Sequence, residues 1–240
     1  MCYDVKTMTK RAEDYARRYG KTKDWEYFKK RYPYIYHVSG FAEPELPVIT
    51  GKDPDMIQPL IWHPASFYPG YNTLNARDDK LLSSRFWKAD FESRRCLVMI
   101  DGFYDFHEHN GKKFPYYVHL SSGEPFMIAG LYRTANISGE KRETVTLITT
   151  RANKEMAWLH NEPAYSPESR MMFVVNQQDD EQWLNGSWEQ VQKMIKPLTD
   201  GVLTYQPCHK LRGKAYIGNK PEISDKVYYP ELEEIQGSLF

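Results

Sequence analysis

The sequence predicts an α+β fold in which a curved or barrel-like sheet carries short helices. β-rich runs dominate after Pro33, a strong hairpin signal joins two of them, and short helical segments interrupt the rest. There is no internal repeat, low-complexity tract or long Pro/Gly/Ser linker, so residues 1–240 read as a single domain.

In chain order, MTKRAEDYARRY (residues 8–19) is built of helix formers, and Gly20 supplies a stop signal. A second short helix is expected through DWEYFKKRY (residues 24–32), ended by Pro33. RRCLVMIDGFYDF (residues 94–106) and KKFPYYVHL (residues 112–120) read as strands, and the Asn110-Gly111 pair between them suits a tight turn. PFMIAGLY from Pro125 and ETVTLITT from Glu143 are further strands. Residues 153–160 read as a short helix, residues 171–175 as a strand, and DDEQWL (residues 179–184) as the start of another helix.

A hydrophobic fraction of 41% and an aromatic fraction of 15% can fill a core, which excludes a disordered chain. No apolar run approaches the roughly 18 residues of a membrane span, and the polar N-terminus has no secretory h-region. Three cysteines, Cys2, Cys96 and Cys208, lack a disulfide-framework spacing and suit a reducing compartment, so the expected location is the cytoplasm. Thirty-two basic and thirty-two acidic residues cancel, so any nucleic-acid binding must come from a local basic groove.

Cys2 follows the initiator methionine. Once Met1 is removed, Cys2 becomes a 1,2-aminothiol whose amine and thiol have ordinary pKa values of about 8 and about 8.5. The amine can condense with an aldehyde to a Schiff base, and the thiol can close on the imine carbon to give a thiazolidine. An internal cysteine cannot do this. The plainer alternative is a small, partly buried residue at a chain end.

Other residues offer partners for this chemistry. Asn75 and Arg77 share one face if their segment is extended, where an amide and a guanidinium can hold a sugar and a phosphate; an Asx-turn with a solvated arginine is the alternative. Asp105 lies among aromatic residues near an expected strand end, where desolvation would raise its pKa as a general acid or base requires. An edge carboxylate paired with a lysine is the competing picture. His160 closes a predicted helix, so it suits the helix dipole or proton transfer near neutrality. His107, His109 and Cys208-His209 lack further ligands at a recognisable spacing, so no metal and no cofactor are expected. Trp62, Phe67, Tyr68 and Tyr71, with Arg77 and Arg85 following, suit single-stranded nucleic acid or, for many of the rings, a core.

In their order along the chain, these pieces resemble the SRAP (SOS response-associated peptidase) family. The resemblance rests on Met-Cys at the start, Asn75 to Arg77 (NAR), Arg94 to Val98 (RRCLV), Asp101 to Tyr104 (DGFY) and Pro115 to Tyr117 (PYY). It continues through Ala129 to Tyr132 (AGLY), Ile148 to Thr150 (ITT), His160 followed by Arg170-Met171, and Trp183-Leu184, covering nearly the whole chain. The resemblance implies a mostly antiparallel, barrel-like sheet with short peripheral helices. It also implies a monomer that removes its own Met1 and crosslinks Cys2 to the ring-opened aldehyde of an abasic site in single-stranded DNA. In that role Asn75 orients the amine and deoxyribose, Asp105 assists Met1 removal and proton transfer, and His160 handles protons. Arg77, Arg85 and Arg170 would hold phosphates, with Trp62, Thr149 and Met171 also placed at the DNA.

The chain departs from the family pattern near this site. Asp105 stands where the family usually has glutamate, shortening the reach by about 1.5 Å. Leu60 to Pro64 replaces a Trp-Gly-Leu-Ile-Pro stretch, nine residues separate His160 from Arg170, and Asp4 stands where an arginine is common. Two other readings follow: a binding module of the same fold that keeps Met1 and has weakened catalysis, or an N-terminal-nucleophile amidohydrolase. The second requires a larger layered domain.

Overall fold

Five strands close on themselves in the computed structural model, which describes residues 2–9, 34–63, 73–161 and 168–233. The strands are β1 (Asp4–Thr7), β2 (Ile35–Ser39), β3 (Glu45–Thr50), β4 (Asp53–Trp62), β5 (Asn75–Arg77), β6 (Arg95–Ile100) and β7 (Gly102–His109). They continue as β8 (Lys112–Leu120), β9 (Phe126–Ile137), β10 (Glu140–Arg151), β11 (Arg170–Met172), β12 (Val174–Val175) and β13 (Leu203–Pro207). The α-helices are short: α1 (Lys88–Ser93), α2 (Lys154–Leu159), α3 (Asp180–Asn185) and α4 (Trp188–Val191).

The closed ring runs β10–β4–β3–β6–β9 and back to β10, with β5 and β11 attached to β10 and β12 to β9. Only the pairings of β10 with β4 and β5 are parallel; the rest of this sheet is antiparallel. A second antiparallel sheet has the order β13-β8-β7-β1-β2. The fold is thus α+β with a barrel-like sheet, as the sequence predicts. One apolar cluster joins the two sheets: Val5, Phe103 and Val118 from the second sheet meet Leu46, Trp62, Val98 and Leu147 from the barrel strands. Apolar burial of this kind contributes about 25 cal/mol per Å² and fixes how the sheets meet.

The Asn110-Gly111 hairpin forms as expected, both residues having positive φ (50° and 73°), as a type I′ turn requires. Residues 94–106, read as one strand, instead divide into β6 and β7 at Asp101. The buried Asp101 carboxylate accepts from the Thr9 N–H at 2.7 Å and from the Thr9 hydroxyl at 2.8 Å, which fixes the corner. The strand read over residues 171–175 divides similarly at Phe173. The helix over residues 153–160 is α2 with its two caps: the Asn153 side chain accepts from the Met156 N–H, and His160 is the C-cap. The helices expected over residues 8–19 and 24–32 lie outside the described residues, apart from Met8 and Thr9. Met8 has φ 62° and belongs to no helical turn.

Candidate functional site

The site begins with strand pairing. Asp4, Val5 and Lys6 of β1 oppose Tyr104, Phe103 and Gly102 of β7, which lays the chain start along the strand that carries Asp105. On its other side β7 packs so closely on β8 that position 102 must be glycine. A Cβ there would lie 2.5 Å from the Tyr117 ring and 2.6 Å from the Val118 carbonyl oxygen. Cys2 is buried, its Sγ 3.0 Å from the Tyr104 carbonyl oxygen and 3.3 Å from that of Asp4. Burial pushes the Cys2 thiol well above its ordinary pKa, and the nearby Asp105 charge pushes it further. The thiol is therefore protonated at neutral pH.

Asn75 opens β5, whose parallel pairing with β10 sets Asn75 beside Leu147 and Arg77 beside Thr149. The extended segment is therefore present. The Asn75 Nδ2 donates to the Cys2 carbonyl oxygen at 2.8 Å, while its buried Oδ1 has no hydrogen-bond partner. A buried acceptor left open in this way is a place for a donor from a ligand or from a freed amine.

Asp105 lies in the middle of β7, opposite Tyr116, not near a strand end. Its Oδ1 accepts from the Phe106 N–H at 2.8 Å and lies 2.9 Å from the His160 Nδ1. Burial acts to raise its pKa, but the hydrogen bond and charge of His160, with the terminal amine and the Phe106 N–H, together hold the carboxyl below its ordinary value. The sequence-based expectation of a raised pKa is thereby corrected. It counted desolvation but could not see the histidine, 55 residues away in the chain.

Beside these groups opens a cleft of about 710 Å³, lined by Tyr3, Phe41, Asp105, His160 and Arg212 among others. Arg77 and Arg170 also line it. Arg77 makes a bidentate pair with Asp79 at 2.9 Å. Arg170 is 3% exposed and donates to Asp78 and to the Thr149 carbonyl oxygen. Arg85 is exposed and does not line the cleft.

Three residues assigned to DNA on the sequence have no open surface here. Trp62 is fully buried, with its indole N–H on the Leu74 carbonyl oxygen at 2.9 Å and its ring against Gly40. No ring face is left for a base. Thr149 and Met171 are buried as well. The aromatic ring that is exposed at the cleft is Phe41, and the cation beside it is Arg212, neither of which the sequence reading singled out. Phe41 lies in a short 3-10 turn outside the arginine-flanked aromatic stretch, and Arg212 is remote from Cys2 in the chain, so local spacing tied neither to the site.

Among the described residues, no group of three or more His, Cys, Asp or Glu side chains is placed to hold a metal ion. His107 stacks on Trp158, with ring centroids 4.4 Å apart, and Cys208 is buried in a small aromatic cluster. No described helix is long and apolar enough to cross a membrane.

A family model described as SOS response associated peptidase (SRAP) matches residues 1–214. Over 138 residues the chain is 30% identical to the abasic site processing protein YMR114C of Saccharomyces cerevisiae, a match covering 55% of this chain and 35% of that protein. Over 160 residues it is 29% identical to the abasic site processing protein YoqW of Bacillus subtilis, covering 64% of this chain and 67% of that one. The chain thus spans about a third of the yeast relative's length and about two thirds of the bacterial one's. A crystal structure of a Bacteroides thetaiotaomicron protein superposes with a TM-score of 0.78 at 24% identity, over 95% of this chain and all of that one, and so shares the fold.

Proposed function

The chain belongs to the SOS response associated peptidase (SRAP) family, and from that premise we propose that it processes abasic sites in single-stranded DNA through a covalent bond to Cys2. The observation that carries the reading is that Asp105 and His160 line one cleft, with the buried Cys2 and its partner Asn75 next to Asp105 behind its wall. Relatives named as abasic site processing proteins support the substrate class.

Hydrolysis of the Met1–Cys2 peptide bond consumes one water and frees the Cys2 amine. The amine nitrogen then attacks the aldehyde carbon of the ring-opened sugar, and loss of water gives an imine. The Cys2 sulfur adds to the imine carbon while its proton passes to the nitrogen, closing the thiazolidine. The water lost in imine formation balances the one consumed in hydrolysis, so the net products are the adduct and free methionine, with no oxidant or cofactor required.

The protonated thiol fixes the order: the amine is the first nucleophile and the sulfur the second. The open Asn75 Oδ1 supplies an acceptor for the freed amine or a sugar hydroxyl. The Asp105–His160 pair moves protons in the peptide-bond and imine steps, since the two groups exchange a hydrogen bond at 2.9 Å. The shorter aspartate still reaches His160. Arg77 contributes positive charge at the cleft and Arg85 beyond it, while Arg170 braces the β10–β11 edge through Asp78.

Intact mass spectrometry tests the first step. Purified protein lighter by one methionine residue supports the reading, and Met1 retained on every molecule contradicts it.

A further inference from the structure

We propose that Arg212 holds a backbone phosphate in the cleft beside Cys2, preorganised by Asp4, Phe41 and Phe106; the proposal rests on the single-stranded DNA reading above. Asp4 is 1% exposed, and its carboxylate accepts from the Arg212 Nη2 at 2.9 Å while lying 3.1 Å from the His37 Nε2. The other ring nitrogen of His37 is 2.9 Å from the Tyr216 hydroxyl. This chain of contacts, buried at Asp4 and His37, is anchored two residues from Cys2 and so orients Arg212 relative to the nucleophile.

The guanidinium also lies near two rings, its central carbon 6.0 Å from the Phe41 centroid and 5.8 Å from that of Phe106. A guanidinium has five N–H donors in a fixed fork. Asp4 takes one of them, and the side chain is 55% exposed. The other two arginines of the cleft are more heavily committed, Arg77 through both ends of its fork to Asp79 and Arg170 while 3% exposed. Arg212 therefore combines a fixed orientation with open donors, the condition for binding a phosphate oxygen at little loss of side-chain freedom.

The test is a salt titration of binding to an intact, base-containing single-stranded oligonucleotide, so that only non-covalent affinity is read. For one lost phosphate contact on a single strand, Arg212→Ala lowers the slope of log affinity against log salt by about 0.7. It weakens binding at low salt by about tenfold. Arg212→Lys keeps the slope, because the charge remains. If Arg212→Ala fails to fold, Arg212→Gln keeps a donor for Asp4 and is expected to show the same loss of slope. A wild-type slope and affinity in the neutral variants overturns the proposal.

Crosslinking of an abasic oligonucleotide by the wild type is measured in parallel. If crosslinking occurs and the slope ignores Arg212, the Arg212 assignment alone falls. If no crosslink forms but the slope responds to Arg212, the Cys2 chemistry falls and the phosphate contact stands. Wild-type protein without affinity for the strand overturns both.

Discussion

The Nδ1 of His160 lies 2.9 Å from the Oδ1 of Asp105, and this contact is the largest of those that keep a buried carboxylate ionised at the cleft. Without the histidine, burial would favour the neutral acid. A base prepared in this way is available at neutral pH.

The first prediction follows from the sign of that shift. Asp105 has a folded pKa below its unfolded value, so its stabilising contribution is complete above about pH 4 and is lost as pH falls through the lower folded pKa. In His160→Ala the dominant compensating group is gone, and the acid limb of the adduct-formation profile moves to higher pH. Adduct formation at neutral pH falls by about 10²-fold, and stability falls by about 1–3 kcal/mol. A pH–rate series with urea melts measures both; an unmoved acid limb contradicts the pairing.

Cys2 supplies the second prediction. Its thiol is buried and its pKa is raised, so the thiolate that reacts with alkylating agents is scarce at pH 8. Iodoacetamide modifies Cys2 at least about tenfold more slowly in the native protein than in urea, as peptide mass mapping would show. Equal rates would mean that the thiol is open and ionised.

The third concerns Asn75. Asn75→Ala removes the donor to the Cys2 carbonyl oxygen and the open acceptor beside it. Adduct formation drops by about 10²-fold, because misplacing the nucleophile by an ångström is sufficient for such a loss. Affinity for intact single-stranded DNA changes little, which separates positioning from binding. Comparable losses in both measurements would assign Asn75 to binding instead.

Fourth, two of the three arginines that the sequence grouped together, Arg77 and Arg170, separate in stability. Arg170 is buried on Asp78, so Arg170→Ala takes the cation from a carboxylate that keeps only its bonds from the Thr150 hydroxyl and the Asp79 N–H, and destabilises by about 3 kcal/mol. The Arg77–Asp79 pair is 30% and 45% exposed, and Arg77→Ala changes stability by less than about 1 kcal/mol. Denaturant melts of the two variants check this, and similar losses would contradict it.

Elements whose signals are local were legible in the sequence. The Asn110-Gly111 turn, β8 and α2 with its Asn153 cap each carry their information within a few residues. β3 and β4 were not delineated, since Pro47 and Pro59, which face each other across the ladder, weaken both strand signals. Cys2, Asn75, Asp105 and His160 could be named from their types and order. Their electrostatics could not, because the sign of the Asp105 shift depends on a partner that only the fold supplies. Trp62 shows the opposite limit: an aromatic near arginines reads as a stacking surface until burial shows it to be core.

The central claim is that Cys2, freed of Met1, is the atom donor to the lesion. The most direct measurement is the intact mass of the denaturation-stable species formed with an abasic single-stranded oligonucleotide, by wild type and by Cys2→Ala. The account predicts one wild-type adduct, with the mass of the protein lacking Met1 plus the oligonucleotide less one water, and none from Cys2→Ala. An adduct that survives Cys2→Ala, or one that retains Met1, contradicts it.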